Sequence, residues 1–233
     1  MPRPVTSRPC SRYAVLLVAS PSNPTGSLLA TATLREYLSI AQTQDGSLIV
    51  DEIYHGLVYD AANPTALAVS DEIVVINSFS KYFGMTGWRL GWLVAPQALV
   101  PELDKLAQNL FLAAPTLSQH AALRAFEPDT IAILEQRREE FRQRRDFLLP
   151  ALRELGFDIP VTPAGAFYLY ADCSRFTADS FTFSQQLLEE AGVAVTPGID
   201  FGTNSPERHV RFAYTTSLEN LKEGVRRLRE YLL

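Results

Sequence analysis

Apolar positions along the chain fall into two patterns, short unbroken runs and stripes spaced three or four residues apart. Tyr13 to Ala19 is an unbroken run and predicts a strand covered on both faces in a parallel sheet. Ser47 to Val50 and the β-branched run Glu72 to Asn77 predict two more strands. Between the first two, Leu34, Leu38 and Ala41 share one face of a helix from near Thr33 to Gln42, which returns the chain for the next strand. Leu90 to Ala95 reads as another strand, and Pro101 to Phe111 and Leu117 to Phe126 as helices. Ile131, Leu134, Phe141 and Leu148 stripe a long helix near 130–149, with its Glu and Arg residues on a solvated face; Asp129 should cap it and Pro150 should kink or end it.

The remainder has the pattern of a small α/β unit. Phe167 to Tyr170 reads as a strand after Pro163-Ala164-Gly165-Ala166. Phe183, Leu187, Leu188 and Ala191 stripe a helix that stops at Gly192, and His209 to Tyr214 alternates as a half-buried strand does. Ser217 should cap a final helix with Leu218, Leu221, Val225, Leu228 and Leu232 facing inward. The expected organisation is a Pro-, Arg- and Ser-rich disordered leader at 1–12, a larger part at 13–140, and a smaller part at 141–233 joined to it by the long helix.

Composition narrows the function classes. The 233 residues carry a formal net charge of −5, and Lys and Arg clusters are mixed with Glu, so there is no basic footprint for nucleic acid. No run of eighteen apolar residues suits a membrane span, and the first residues lack a signal-peptide pattern; the expectation is a cytoplasmic protein. Cys10 and Cys173 are too few for a disulfide framework, and His55, His120 and His209 are scattered singly, so no metal is expected.

Candidate chemistry gathers where the runs end. The first leads into Ser20-Pro21-Ser22-Asn23-Pro24-Thr25-Gly26, which read by itself is ordinary turn chemistry. The second delivers Asp51-Glu52-Ile53-Tyr54, where the acid is either a helix cap or a functional carboxylate, and the tyrosine either packs or binds. The third delivers Ser78-Phe79-Ser80-Lys81, followed by Arg89 and by glycines at 84, 87 and 91 that let the backbone turn tightly. Lys81 alone would be a solvated loop residue; beside serines and an arginine it reads as an amine next to an anion site, suited to Schiff-base chemistry. The spacings, 28 residues from Asn23 to Asp51 and 27 from Tyr54 to Lys81, each accommodate one crossover and one strand. Three strand ends should therefore converge on one ligand. Arg211, within the last strand, is either an edge residue or a carboxylate fork.

The run Ser-x-Ser-Lys-x-x-Gly-x-x-Gly-x-Arg-x-Gly at 78–91 resembles the lysine signature of class I/II aminotransferases, fold-type I enzymes that use pyridoxal 5'-phosphate. Asn-Pro-Thr-Gly at 23–26, Asp-Glu-x-Tyr at 51–54, and Pro-Gly-x-x-Phe-Gly at 197–202 followed by Val-Arg-Phe-Ala at 210–213 resemble further motifs of the same family. The resemblance implies the C-terminal part of the PLP-transferase fold, a partial and mostly parallel sheet with flanking helices, plus a small α/β C-terminal domain. It implies that Lys81 holds the cofactor as a Schiff base and Ser78 and Arg89 its phosphate. Asn23 and Tyr54 would bond its phenolic oxygen, Asp51 its pyridine nitrogen, and Arg211 the substrate carboxylate. It implies transfer of an amino group between an L-amino acid and a 2-oxo acid in a homodimer, with no nucleic-acid or membrane partner. A β-lyase or decarboxylating synthase on the same scaffold, or a non-catalytic interaction module, are the alternatives. Family members carry a long segment before the Asn-Pro-Thr-Gly loop, where this chain has 22 residues, and the expectation is a chain lacking that segment.

Overall fold

The computed structural model describes residues 15–233; the expected leader and the first two residues of the first apolar run lie outside the described residues. Strands β1 (Val15–Ala19), β2 (Ser47–Asp51) and β3 (Val74–Ser78) pair in parallel, and β4 (Gly91–Val94) pairs antiparallel to β3. The parallel strands put their carboxyl ends at one edge of the sheet, which is how three loops distant in sequence meet. Helix α1 (Thr31–Thr43) covers this sheet with buried Leu34 and Ala41, packed in one cluster with Leu48, Val50, Ile73 and Val75. Leu38 joins as a partly buried neighbour, so the expected stripe is the buried face.

The first strand differs from expectation. Val15 is 50% and Leu17 62% exposed, so one face of β1 is open where an unbroken apolar run predicted cover on both. An unbroken run records what a strand could bury and cannot show what lies over it. Every residue of β4 is exposed too, and helix α2 (Val100–Phe111) has no buried residue. Helix α3 (Thr116–Arg124) follows, burying Ser118 and Ala122.

Helix α4 (Pro128–Leu155) departs from its predicted ends. Asp129 lies in its first turn and Glu127 is the residue before it, so Asp129 faces the helix dipole and is not the cap. The helix runs past Pro150, because Leu148, Leu149, Leu152 and Leu155 on either side are all buried in one core cluster. That burial offsets a lost backbone bond costing about 3 kcal/mol. Gly156 then closes the helix in the left-handed conformation, its N–H returning to the carbonyls of Leu152 and Arg153.

The second sheet is antiparallel, in the order β5 (Tyr168–Asp172), β7 (His209–Ala213), β6 (Thr196–Pro197). Helix α5 (Ser180–Ala191) starts where the Asp179 carboxylate accepts the Phe181 N–H and stops at left-handed Gly192. Helix α6 (Leu218–Leu232) starts at the expected Ser217 cap and buries Leu221, Val225 and Leu228. These join Leu152, Leu169, Leu187, Val210 and Phe212 in the larger core cluster, between this sheet and α4.

The two sheets are tied by the loop Pro163–Ala166. Ala164 and Gly165 N–H groups donate to the Gly26 carbonyl, Ala166 N–H to the Leu57 carbonyl, and Tyr59 N–H to the Ala164 carbonyl. The Asn-Pro-Thr-Gly loop, the segment after Tyr54, and the approach to β5 are thereby one hydrogen-bonded unit.

Candidate active site

Asn23 follows β1, Asp51 ends β2 with Tyr54 just beyond it, and Lys81 follows β3, as the spacing required. Ser20 N–H donates to the Asp51 carbonyl and Glu52 N–H to the Ile76 carbonyl, locking the three strand ends together. One Asp51 side-chain oxygen accepts the Ile53 N–H at 2.9 Å. Its neighbour Glu52 has a structural duty: its buried carboxylate accepts Ala66 N–H at 2.6 Å and the Thr65 hydroxyl at 3.0 Å.

The Lys81 Nζ lies 5.6 Å from the centre of the Tyr54 ring and 5.7 Å from that of Phe167, in an aromatic corner. Tyr54 and Tyr168 are both buried, and their hydroxyls are 2.9 Å apart. Burial, then the bond to Tyr168, pushes the Tyr54 phenol far above the ordinary tyrosine range, so it keeps its proton; Arg211 pulls weakly the other way.

Arg211 stands on β7 with its guanidinium 4.1 Å over the Tyr168 ring and 4.7 Å from the Phe201 ring centre. One terminal nitrogen donates to the Asn23 Oδ1 at 2.9 Å and the other to the Thr196 hydroxyl at 3.2 Å. Its Nε is buried and has no partner among the described residues. The guanidinium is thus an oriented cation held by two rings and two hydrogen bonds, with its Nε closed to solvent. Asn23, Tyr54, Lys81 and Arg211 are thus brought together through Tyr168.

Ser78 and Arg89 are placed differently. The Ser78 hydroxyl donates to the Ser80 hydroxyl at 2.9 Å and accepts the Ser80 N–H, forming a compact serine pair. The Arg89 guanidinium instead donates to the Thr86 carbonyl, with Arg89 itself in the left-handed conformation. No hydrogen bond joins the two side chains among the described residues. Of the three glycines in this stretch, Gly84 has a φ of +67° and Gly91 brings its backbone against the Asn77 carbonyl, but Gly87 has open space around it. The tight-turn requirement therefore holds at two positions.

Sequence reasoning passed over Tyr168 and Thr196, and gave Ser80 and Phe201 no separate role. A signal existed for Tyr168, since strand alternation puts it and Tyr170 on one face. Only the pairing of β5 with β7, with Tyr170 opposite Arg211, shows which arginine that face meets.

Comparison with known proteins identifies the family. The family described as "Aminotransferase class I and II" matches residues 6–228. The chain belongs to this family. Among aminotransferase relatives, it is 43% identical over 219 residues to the valine–pyruvate aminotransferase of Mycobacterium tuberculosis, covering 93% of this chain and 56% of that protein. The aspartate/prephenate aminotransferase of Thermus thermophilus is 36% identical over 224 residues, 95% of this chain and 57% of its own. A crystal structure of an aminotransferase from Mycobacterium tuberculosis superposes with a TM-score of 0.90 at 42% identity, over 94% of this chain and 57% of that one. The fold is accordingly that of the aminotransferases, and the chain spans a little over half the length of the relatives it matches. No helix among the described residues is long and apolar enough to cross a membrane.

Proposed function

We propose that this chain carries the lysine half of an aminotransferase site that moves an amino group between an L-amino acid and a 2-oxo acid with pyridoxal 5'-phosphate. The observation that carries the reading is the contact path from Lys81 to the Tyr54 ring, across the paired hydroxyls to Tyr168, then to Arg211 and Asn23. The donor set fits the cofactor: an amine, a phenol kept protonated by burial, a carboxylate and paired serine hydroxyls all lie at or just beyond strand ends of one sheet. When bound, pyridoxal phosphate supplies an electron sink for cleavage of a bond at the substrate's α-carbon.

Lys81 would hold the cofactor covalently and, once released, carry a proton to and from the α-carbon as general base and acid. Asp51 would pair with the ring nitrogen, and Asn23 and the protonated Tyr54 would donate to the phenolic oxygen. Ser78 and Arg89 would bind the phosphate, Arg89 by exchanging its Thr86 carbonyl partner for an anion. Arg211 would grip the α-carboxylate and so set which bond at the α-carbon faces Lys81.

The separate hydrophobic clusters of the two sheets support dividing the chain near residue 140 into a cofactor-binding part and a smaller C-terminal part. The cytoplasmic setting and the homodimer belong to the same proposal, and sedimentation at two concentrations tests the dimer. The central experiment is an absorbance spectrum of the chain incubated with pyridoxal phosphate and desalted, beside Lys81→Ala. A retained visible band that is missing in Lys81→Ala is the expected result; a colourless wild type, or equal bands in both, overturns the reading.

A further inference from the structure

We propose that Tyr168 is a positioning residue shared by both ends of the site: its ring is the platform for the Arg211 guanidinium, and its hydroxyl orients the hydroxyl of Tyr54. The inference rests on the functional reading above and assigns a duty to a residue that none of the motifs contains.

The sheet register sets up the first half. Tyr170 lies opposite Arg211 and Tyr168 opposite Ala213, so Tyr168 is the diagonal neighbour of Arg211 on the same face. The guanidinium lies 4.1 Å from the centre of the Tyr168 ring, with Phe201 on a second side. Tyr168 is buried, and a cation against a ring is held more strongly where water is kept away. The rings therefore fix the plane of the fork while its terminal nitrogens are tied to Asn23 and Thr196. A planar fork binds a carboxylate through two parallel bonds only if its plane is held.

Proton counting supplies the second half. Two phenols 2.9 Å apart share one hydrogen bond, so one donates and the other accepts. Where Tyr54 donates, Tyr168 helps it keep its proton; an acceptor near Lys81 draws that proton away, and Tyr168 then donates to the Tyr54 oxygen in its place. The edge-on packing of the two rings, 5.8 Å apart at 81°, holds the hydroxyls in this relation. The ionisable groups facing the pair are Lys81, Asp51 and Arg211. Tyr168 thus links the group that grips the carboxylate to the group that donates toward the cofactor.

Two variants separate the halves. Tyr168→Phe keeps the ring and loses the hydroxyl; Tyr168→Leu loses both, and Tyr168→Met replaces it if the leucine variant does not fold. The ring is tested on the full, cofactor-free chain by following the Arg211 Nε–H resonance while adding propionate. Wild type and Tyr168→Phe should bind alike, with Tyr168→Leu weaker by about tenfold. The hydroxyl is tested on pyridoxal phosphate-loaded protein by the pH midpoint of its visible band. Tyr168→Phe should shift that midpoint, and the shift should vanish in a Tyr54→Phe background, because the effect passes through Tyr54. Equal propionate binding by Tyr168→Leu and wild type overturns the platform. An unshifted midpoint, or a shift undiminished without the Tyr54 hydroxyl, overturns the relay. A wild type that retains no visible band overturns the functional reading and the relay with it, while propionate binding still decides the platform.

Discussion

Gly26 shows how much a single residue can hold at this site. Its φ is +65°, and a Cβ there would come within 2.5 Å of both the Gly165 carbonyl oxygen and the Pro163 side chain. Its own carbonyl accepts two N–H bonds from the same loop. Gly26→Ala therefore meets both a disfavoured backbone conformation and fixed backbone atoms, and should destabilise by about 2–4 kcal/mol. Gly87→Ala, with nothing within 4 Å, should stay within about 0.5 kcal/mol of wild type. Urea midpoints of the two variants test the contrast. The sequence shows both glycines as turn residues, and only the neighbours of the missing Cβ tell them apart. Lys81, Asn23, Asp51 and Tyr54 were legible because their motifs are local, each a few residues long at a strand end. Tyr168 was not, because its meaning depends on contacts 114 residues away in sequence.

At the scale of elements, the approach to β5 is held from two sides. Ala166, with a φ of +60°, offers its carbonyl to the hydroxyls of Tyr59 and Tyr214, and Phe167 and Tyr168 follow directly. Arg145 of α4, taken from its pattern as part of a solvated face, is buried instead. It donates to the Pro163 carbonyl at 2.9 Å and to Asp60 at 2.6 Å, with its guanidinium against the Tyr59 ring. Charge alone could not place it, since an arginine on a helix face is exposed unless something crosses over it. Burial, followed by the proximity of Tyr59, pushes the Tyr214 phenol far above its ordinary range. The folded chain then keeps this proton while the unfolded chain loses it above about pH 10. Stability associated with Tyr214 is therefore complete below that pH and falls as pH rises beyond it, by about 1.4 kcal/mol per pH unit. Tyr214→Phe should cost about 1 kcal/mol at neutral pH through the lost bond to Ala166, and should make the decline between pH 10 and 11 shallower. Denaturant midpoints at pH 8, 10 and 11 measure both effects. An equally steep decline in the variant would place the alkaline sensitivity elsewhere.

Across the whole molecule, the two cores differ in how well they are covered. The cluster around α4, β5, β7 and α6 is enclosed, whereas β4 is exposed throughout, α2 buries nothing, and Leu110 is 77% exposed. Trp92, Leu93, Leu106 and Phe111 add to this apolar surface. Surface of this kind binds hydrophobic dyes and lowers solubility. The folded chain should therefore enhance the fluorescence of an anilinonaphthalene dye, and Leu106→Glu with Leu110→Glu should reduce that signal and raise the soluble fraction without lowering the melting temperature. A signal unchanged by the pair, or a loss of stability of more than about 1 kcal/mol, would show that α2 is not the exposed apolar element. By itself the sequence determined the α/β class, the order of strands and helices, and the motifs at the strand ends, because periodicity, caps and short motifs are encoded within windows of a few residues. Tertiary structure alone decided which apolar faces are covered, that α4 continues through Pro150, that Arg145 is buried, and that Tyr168 stands between Tyr54 and Arg211. These depend on which distant segments pack together, and no local pattern records that.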